Sequence, residues 1–219
     1  GSLLNPREPA AVSVRHLTQQ AVADVVLKAL AQIAPQASSA GCQIAFPTFV
    51  IGGFDRRPAM LERTAGVPGY FVVTDIIGGG MGASRDQDGI SGVDTHGGNC
   101  AILSAEVLET TGPVRVISTR LVEGSGGAGQ HSGGLAIERE YEMLSSGLVV
   151  SGYTQQTMPE TAPWGLEGGE PGRLAAVHLV RRNGLEEKLK SKFVAVPLEE
   201  GERLRMRAAG GAGWGRPVK

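Results

Sequence analysis

Cysteine is scarce. Cys42 and Cys100 are the only two among 219 residues, far apart and without Cys-x-x-Cys spacing. That argues against a disulfide framework and for an intracellular protein whose thiols are buried. Long hydrophobic runs are missing as well. No stretch approaches the roughly eighteen consecutive apolar residues of a membrane span, and the opening Gly-Ser-Leu-Leu-Asn-Pro has no signal-peptide pattern, so a cytoplasmic location is expected. Neither sign of charge is in excess: 21 basic against 22 acidic residues leave a net charge of -1. Bulk electrostatics therefore gives no reason to expect nucleic acid or a membrane surface as partner. There is no internal repeat, low-complexity tract or clear linker, and the absence of any Gly-Lys pair removes a Walker A loop.

Glycine is what the chain has in plenty, 33 residues, about twice the usual fraction. It arrives in separate clusters beside short strand-like runs: Gly78-Gly79-Gly80-Met81-Gly82, Ser125-Gly126-Gly127-Ala128-Gly129, Gly133-Gly134, Trp164-Gly165-Leu166-Glu167-Gly168-Gly169 and Gly210-Gly211-Ala212-Gly213-Trp214-Gly215. Such loops let backbone approach backbone, or a ligand, where a Cβ would clash.

Apolar residues from Val14 to Ile33 recur at helical spacing, with Ser13 as N-cap and Pro35 just past the end, which predicts one long amphipathic helix over about 14–34. From about residue 40 the pattern turns to short runs: Tyr70–Ile77, Val114–Leu121, Leu135–Met143 and Leu148–Thr154. Leu135, Ile137, Tyr141 and Met143 alternate with Glu138, Glu140 and Glu142. Ala175–Arg182 and Leu185–Leu189 flank Asn183-Gly184, a hairpin signal, and a last strand includes Leu204 and Met206. One helix and eight to ten strands predict an α+β, β-rich domain with glycine-rich loops.

Most catalytic motifs fail on inspection. Gly78-x-Gly80-x-x-Ala83 matches a dinucleotide fingerprint, but Ser84–Gly89 reads as a turn where the fingerprint needs a helix. Asp86, Asp88 and Asp94 suggest calcium, yet Ile90 and Gly97 occupy positions five and twelve of the loop. Ser125 follows Gly124, but Glu123 stands where a nucleophile elbow has glycine. Of the four histidines, His16 and His178 read as structural or surface residues. His96, within Asp94-Thr95-His96-Gly97-Gly98-Asn99, is placed to act as acid or base, to contribute to a metal shell, or to hydrogen-bond its own loop.

Taken together, the clusters resemble the C-terminal half of the B component of the hydantoinase/oxoprolinase family. The resemblance runs in order through Gly-Ser-Leu-Leu-Asn-Pro at 1–6, Gly-Gly-Gly-Met-Gly-Ala at 78–83, Asp88-Gly89, Thr95-His96 with Asn99, Glu106–Glu109, Ser-Gly-Gly-Ala-Gly at 125–129, Gly133-Gly134-Leu135 with Arg139-Glu140-Tyr141, Pro163–Leu166, and Gly-Gly-Ala-Gly-Trp-Gly at 210–215. It departs at Gln130-His131-Ser132, where the family often has arginines, and at Arg216. The family's upstream half, with its metal-holding motifs, has no counterpart here, so the resemblance implies a fragment or the small subunit of a split B component, inactive alone.

The resemblance also implies a two-component enzyme. An A-type ATPase subunit holds ATP and phosphorylates a carbonyl oxygen, because a resonance-stabilised lactam is a poor electrophile until that oxygen becomes a leaving group. The B component then carries out hydrolysis of a cyclic amide (a hydantoin, 5-oxoproline or lactam), or carboxylation of a ketone. The expected partners are the ATPase subunit and the N-terminal half of the B-type component; a divalent metal is expected with ligands outside this chain. A noncatalytic assembly subunit is the third reading. Within this chain the expected site is the loop Gly78–Asn99 facing Ser125–Gly129. There Asp88, Asp94, His96 and Asn99 orient substrate or support a metal, while amides of Gly79, Gly80, Gly82, Ser125, Gly126 and Gly127 receive an oxyanion or phosphate.

Overall fold

The computed structural model describes residues 2, 5–10, 12 and 14–217. Helix α1 spans Arg15–Ala31; the expected cap, Ser13, lies outside the described residues. Nine strands follow among the described residues: β1 (Thr48–Asp55), β2 (Gly69–Ile76), β3 (Val114–Leu121), β4 (Ile137–Met143), β5 (Leu148–Tyr153), β6 (Ala176–Val180), β7 (Glu186–Lys188), β8 (Lys192–Leu198) and β9 (Arg203–Arg207). Two short helices intervene, α2 (Pro58–Arg63) and α3 (Ala105–Thr111), the latter capped by Ser104 Oγ accepting from the Val107 amide.

The strands form two antiparallel sheets, one ordered β2-β1-β5-β8 and the other β3-β4-β9-β6-β7. A single core lies between them, filled by Phe49 and Ile51 of β1, Leu148 and Val150 of β5, Tyr141 and Met143 of β4, and Leu204 and Met206 of β9. Phe49 meets Tyr141 edge to face, with ring centroids 4.7 Å apart. One charged pair crosses this core. Arg139 on β4 donates to Asp75 Oδ2 on β2 at 2.6 Å, and Tyr141 donates to the same oxygen at 2.8 Å. Both ionic side chains are sealed from water, so each depends on the other to offset its desolvation. The period-two pattern of β4 carries this signal, because Arg139 occupies a position on the apolar face.

The outer faces of the two sheets differ in chemistry. On the five-stranded sheet, Arg120 pairs with Glu138 at 2.5 Å, Arg203 with Glu140 at 2.8 Å and Arg115 with Glu142 at 3.3 Å; Arg205 pairs with Glu186. This is a ladder of cross-strand opposite charges, suited to water. The four-stranded sheet instead exposes Val50, Phe54, Tyr70, Val72 and Val149.

Helix α1 is not the amphipathic helix expected, because it does not bury an apolar face. Its buried residues are Gln20, Asp24 and Ala31, while Val22, Val25, Val26 and Leu30 are exposed, as is Ile33 beyond its end. Polar contacts dock it instead. Gln20 donates to the Thr95 carbonyl at 3.0 Å and accepts from the Ala45 amide at 2.8 Å, and Asp24 accepts from Trp164 Nε1 at 2.8 Å.

The glycine clusters converge beside the sheets into a layer with no strand assignment, cross-linked by backbone hydrogen bonds. Gly80 N–H bonds the Ala209 carbonyl at 3.0 Å, Gly134 N–H that of Met81 at 2.9 Å, Gly211 N–H that of Gly134 at 2.9 Å, Gly127 N–H that of Gly211 at 2.8 Å, and Gly213 N–H that of Glu170 at 2.9 Å. Close approach is what requires glycine here. A methyl group on Gly80 would lie 2.0 Å from the Gly134 carbonyl oxygen and 2.1 Å from the Gly211 nitrogen.

Candidate active site

Residues 94–100, between β2 and α3, fold back on themselves and dock on the first turns of α1. Asp94 Oδ2 accepts from the Cys100 amide at 2.8 Å, closing the loop. Gly98 sits against the same carboxylate, where a methyl group would lie 2.3 Å from Oδ2. The Gln20 amide ties Thr95 to the chain near Ala45, and Thr95 Oγ1 donates to the Gln43 carbonyl. His96 takes a left-handed backbone conformation, φ +52°, uncommon for a residue with a side chain.

The result is a cleft of about 290 Å³ whose walls include Arg15, His16 and Gln19 from α1 and Asp94, His96 and Asn99 from the loop. A second cavity of about 300 Å³ adjoins it, lined by Ile77, Gly78, Gly92, Ala101 and Ile102. Phe46, Ile76, Asp94 and Cys100 border both. Cys100 is exposed, contrary to the expectation of two buried thiols, because its loop carries it to the surface; Cys42 is buried.

Three ionisable groups are tuned by this arrangement. Burial pushes the Asp94 carboxyl up, partly offset by its bonds from Cys100 and by His16. Burial pushes His16 down, opposed by Asp94 and reinforced by Arg15. Its Nε2 lies 3.1 Å from Tyr153 Oη. His96 moves the other way, up to about 9, chiefly through Asp24 and then the Cys42 sulfur. His96 Nε2 and Asp24 Oδ1 are 3.7 Å apart, an ion-pair rather than a hydrogen-bonding distance, and neither atom has a hydrogen-bond partner. Asp94 Oδ1 is likewise buried without a partner.

His96 is thus a cation that helps pin the loop to α1, with a consequence for stability. Its folded-state value of about 9 lies above the ordinary 6.5, so its contribution is fully present below pH 6.5 and is lost as pH rises through 9. The melting temperature is expected to fall by roughly 3–6 °C across that window, allowing for solvent screening. His96→Gln is expected to flatten the profile. A wild-type profile that does not change, or an equal slope in the variant, would refute the pairing.

The expected site residues therefore fall into two groups. Asp94, His96 and Asn99 share the cleft. Asp88 is elsewhere, with Oδ1 accepting from the Ser132 amide at 2.7 Å and lying 3.5 Å from His131 Nδ1. Ser125 is fully buried, donating to the Val122 carbonyl at 2.5 Å and accepting from the Ala136 amide at 2.8 Å. The amides of Gly79, Gly80 and Gly127 are given to the carbonyls of Val93, Ala209 and Gly211, and that of Gly82 to Cys42 Sγ. Those four amides have no donor left for an oxyanion. Gly126 packs on the Gly133 carbonyl within the same layer. His16 and Cys100 also line the cleft, although no local motif marks either of them. Among the described residues, no three His, Cys, Asp or Glu side chains group as a metal shell.

The architecture is that of an antiparallel two-sheet domain with a backbone-bonded glycine layer and a cleft where α1 meets residues 94–100. The chain belongs to the Hydantoinase B/oxoprolinase family, whose model matches residues 1–217. It is 35% identical to 5-oxoprolinase 1 of Arabidopsis thaliana over 100% of this chain and 15% of that protein. It is 29% identical to the B component of a putative D-/L-hydantoinase of Pseudomonas sp. strain NS671, over 100% of this chain and 35% of that component. Among solved structures, the ATP-dependent caprolactamase of Pseudomonas jessenii superposes with a TM-score of 0.73 and 25% identity, over 98% of this chain and 37% of that one. Acetone carboxylase shares the fold, with a TM-score of 0.67 at 16% identity over 85% of this chain and 28% of that one. The chain thus spans little more than a third, or less, of the proteins it matches. No described helix is long and apolar enough to cross a membrane.

Proposed function

We propose that this chain forms part of the B-type component of an ATP-dependent amidohydrolase that opens a cyclic amide, and that the cleft between α1 and residues 94–100 holds the ring. The observation that carries this reading is that Asp94 and His16 line one cleft together with Phe46 and Ile76, close enough that each shifts the other's titration. A carboxyl pushed up and an imidazole pushed down by burial in one cleft are the kind of perturbed groups that cluster at functional sites. In this reading Asp94 Oδ1, buried without a partner, accepts the ring N–H. The neutral His16, with Tyr153 Oη on its Nε2, takes a proton from the attacking water and returns it to the ring nitrogen as the C–N bond breaks. The His96 imidazolium, held by Asp24, adds positive potential beside the carbonyl, and Asn99 sits in the cleft wall.

ATP belongs on an A-type partner, whose phosphorylation of the carbonyl oxygen makes the lactam carbon electrophilic enough for water to add and the ring nitrogen to be expelled. A divalent metal, where one serves, is held by residues outside this chain. Support for a cyclic amide comes from the relatives, which include a 5-oxoprolinase, a hydantoinase component and a caprolactamase. Ketone carboxylation is the second reading, carried by the fold shared with acetone carboxylase.

ADP release by the assembled enzyme separates the two. 5-Oxoproline, hydantoin or caprolactam is expected to raise it by at least about tenfold, independently of bicarbonate. Turnover that requires both a ketone and bicarbonate would overturn the hydrolase reading in favour of carboxylation.

A further inference from the structure

The two sheets present opposite chemistry outward, and only one outer face is suited to water. The five-stranded sheet carries the Arg–Glu ladder from Arg120–Glu138 to Arg205–Glu186. The four-stranded sheet places Val50, Phe54, Tyr70, Val72 and Val149 on adjoining strands of one face, because Phe54 pairs with Tyr70 and Gly52 with both Val72 and Val149. Phe54 and Tyr70 pack edge to face at 5.4 Å, while Tyr70 remains 66% exposed. A groove of about 430 Å³ runs between this face and the start of α1, with Leu17 on one side and Val50 and Val194 on the other; Val194 is 80% exposed. Contiguous apolar surface of this kind marks a protein interface.

The relatives indicate the occupant. This chain matches 35% of the hydantoinase B component and 37% of the caprolactamase chain, so about two thirds of a B-type polypeptide lies outside the matched region. We propose that this remaining B-type polypeptide, whether joined to this chain or present as a separate subunit, packs on the outer face of the four-stranded sheet and inserts an apolar side chain into the groove beside α1. The charged face of the five-stranded sheet stays in water. This inference rests on family membership and is independent of the reaction catalysed.

The test is site-specific photocrosslinking in the native assembly. p-Benzoylphenylalanine is placed in turn at Phe54, at Val149 and, as a control on the charged face, at Arg205. Phe54 and Val149 side chains point away from the core, and two positions guard against one failing to fold. Crosslinks from 54 and 149 to peptides of the B-type polypeptide outside the matched region, with none from 205, are the expected result. Crosslinks from 54 and 149 to a second copy of this chain or to an ATPase-type subunit, or none at either position, would overturn the proposal. ADP release measured on the same samples keeps this result separate from the amidohydrolase reading, because the crosslinks are read whichever compound stimulates turnover.

Discussion

Gly80→Ala is expected to leave no folded protein. The added methyl would fall 2.0 Å from the Gly134 carbonyl oxygen and 2.1 Å from the Gly211 nitrogen, both backbone atoms of segments that are themselves hydrogen-bonded on either side. Neither can give way without breaking the Gly211–Gly134 and Gly134–Met81 bonds. Overpacking against side chains costs about 1–3 kcal/mol. A clash with paired backbone adds the loss of several buried hydrogen bonds, so the total is expected to exceed about 5 kcal/mol and to match the whole stability of an ordinary domain. Gly66→Ala is the control. Gly66 has φ +83° with open space around it, so only backbone strain of about 1–2 kcal/mol is at stake. Soluble yield and circular dichroism of the two variants decide the matter. A folded Gly80→Ala protein with a melting temperature near the parent's would show that the glycine layer is not packed as described.

The same layer shows why the sequence was legible in some places and not in others. Glycine density announces close approach, but not what approaches; only an accounting of each amide shows that Gly79, Gly80 and Gly127 bond backbone carbonyls. Local patterns served well where structure is local. Strand β3 has the boundaries expected of it, Val114–Leu121. Asn183-Gly184 turns the β6–β7 hairpin, with Gly184 at φ +81°. The central strand β1 has no clear strand signal in the sequence because Gly52 and Gly53 interrupt its apolar run. Strand β8 is hidden by Pro197, which argues against a strand, although an edge position is where a proline is tolerated.

Helix α1 illustrates a different limit. Its periodicity defines an apolar stripe, and periodicity says nothing about which side meets the rest of the chain. Buried hydrogen bonds at Gln20 and Asp24 decide that, which leaves the stripe outward. The site follows from the same docking. His16 reads as a structural or surface residue in isolation, and becomes part of the cleft only because α1 docks beside residues 94–100, far away in sequence.

That juxtaposition makes Asp94→Asn the sharpest test of the site in the assembled enzyme. Asparagine keeps the size of the side chain and can still accept from the Cys100 amide, so the loop should close as before. What it removes is the charge, and with it the ability of both oxygens to act as acceptors. Turnover is expected to fall by about 10²–10³-fold, the range for loss of one positioned hydrogen-bonding group at a reacting centre, with recovery of the assembly unchanged. His16→Gln should lower kcat by a comparable factor and remove the acidic limb of the pH–rate profile, because a neutral imidazole is the active form and burial already holds its pKa down. His96→Ala differs, because His96 Nε2 is sealed against Asp24. Its loss frees the loop as well as removing the charge, so turnover should fall together with the alkaline-sensitive part of the melting temperature. Full turnover in Asp94→Asn would remove this cleft from the chemistry and make the chain an assembly subunit. Loss of assembly in parallel with turnover would assign Asp94 to holding the loop in place.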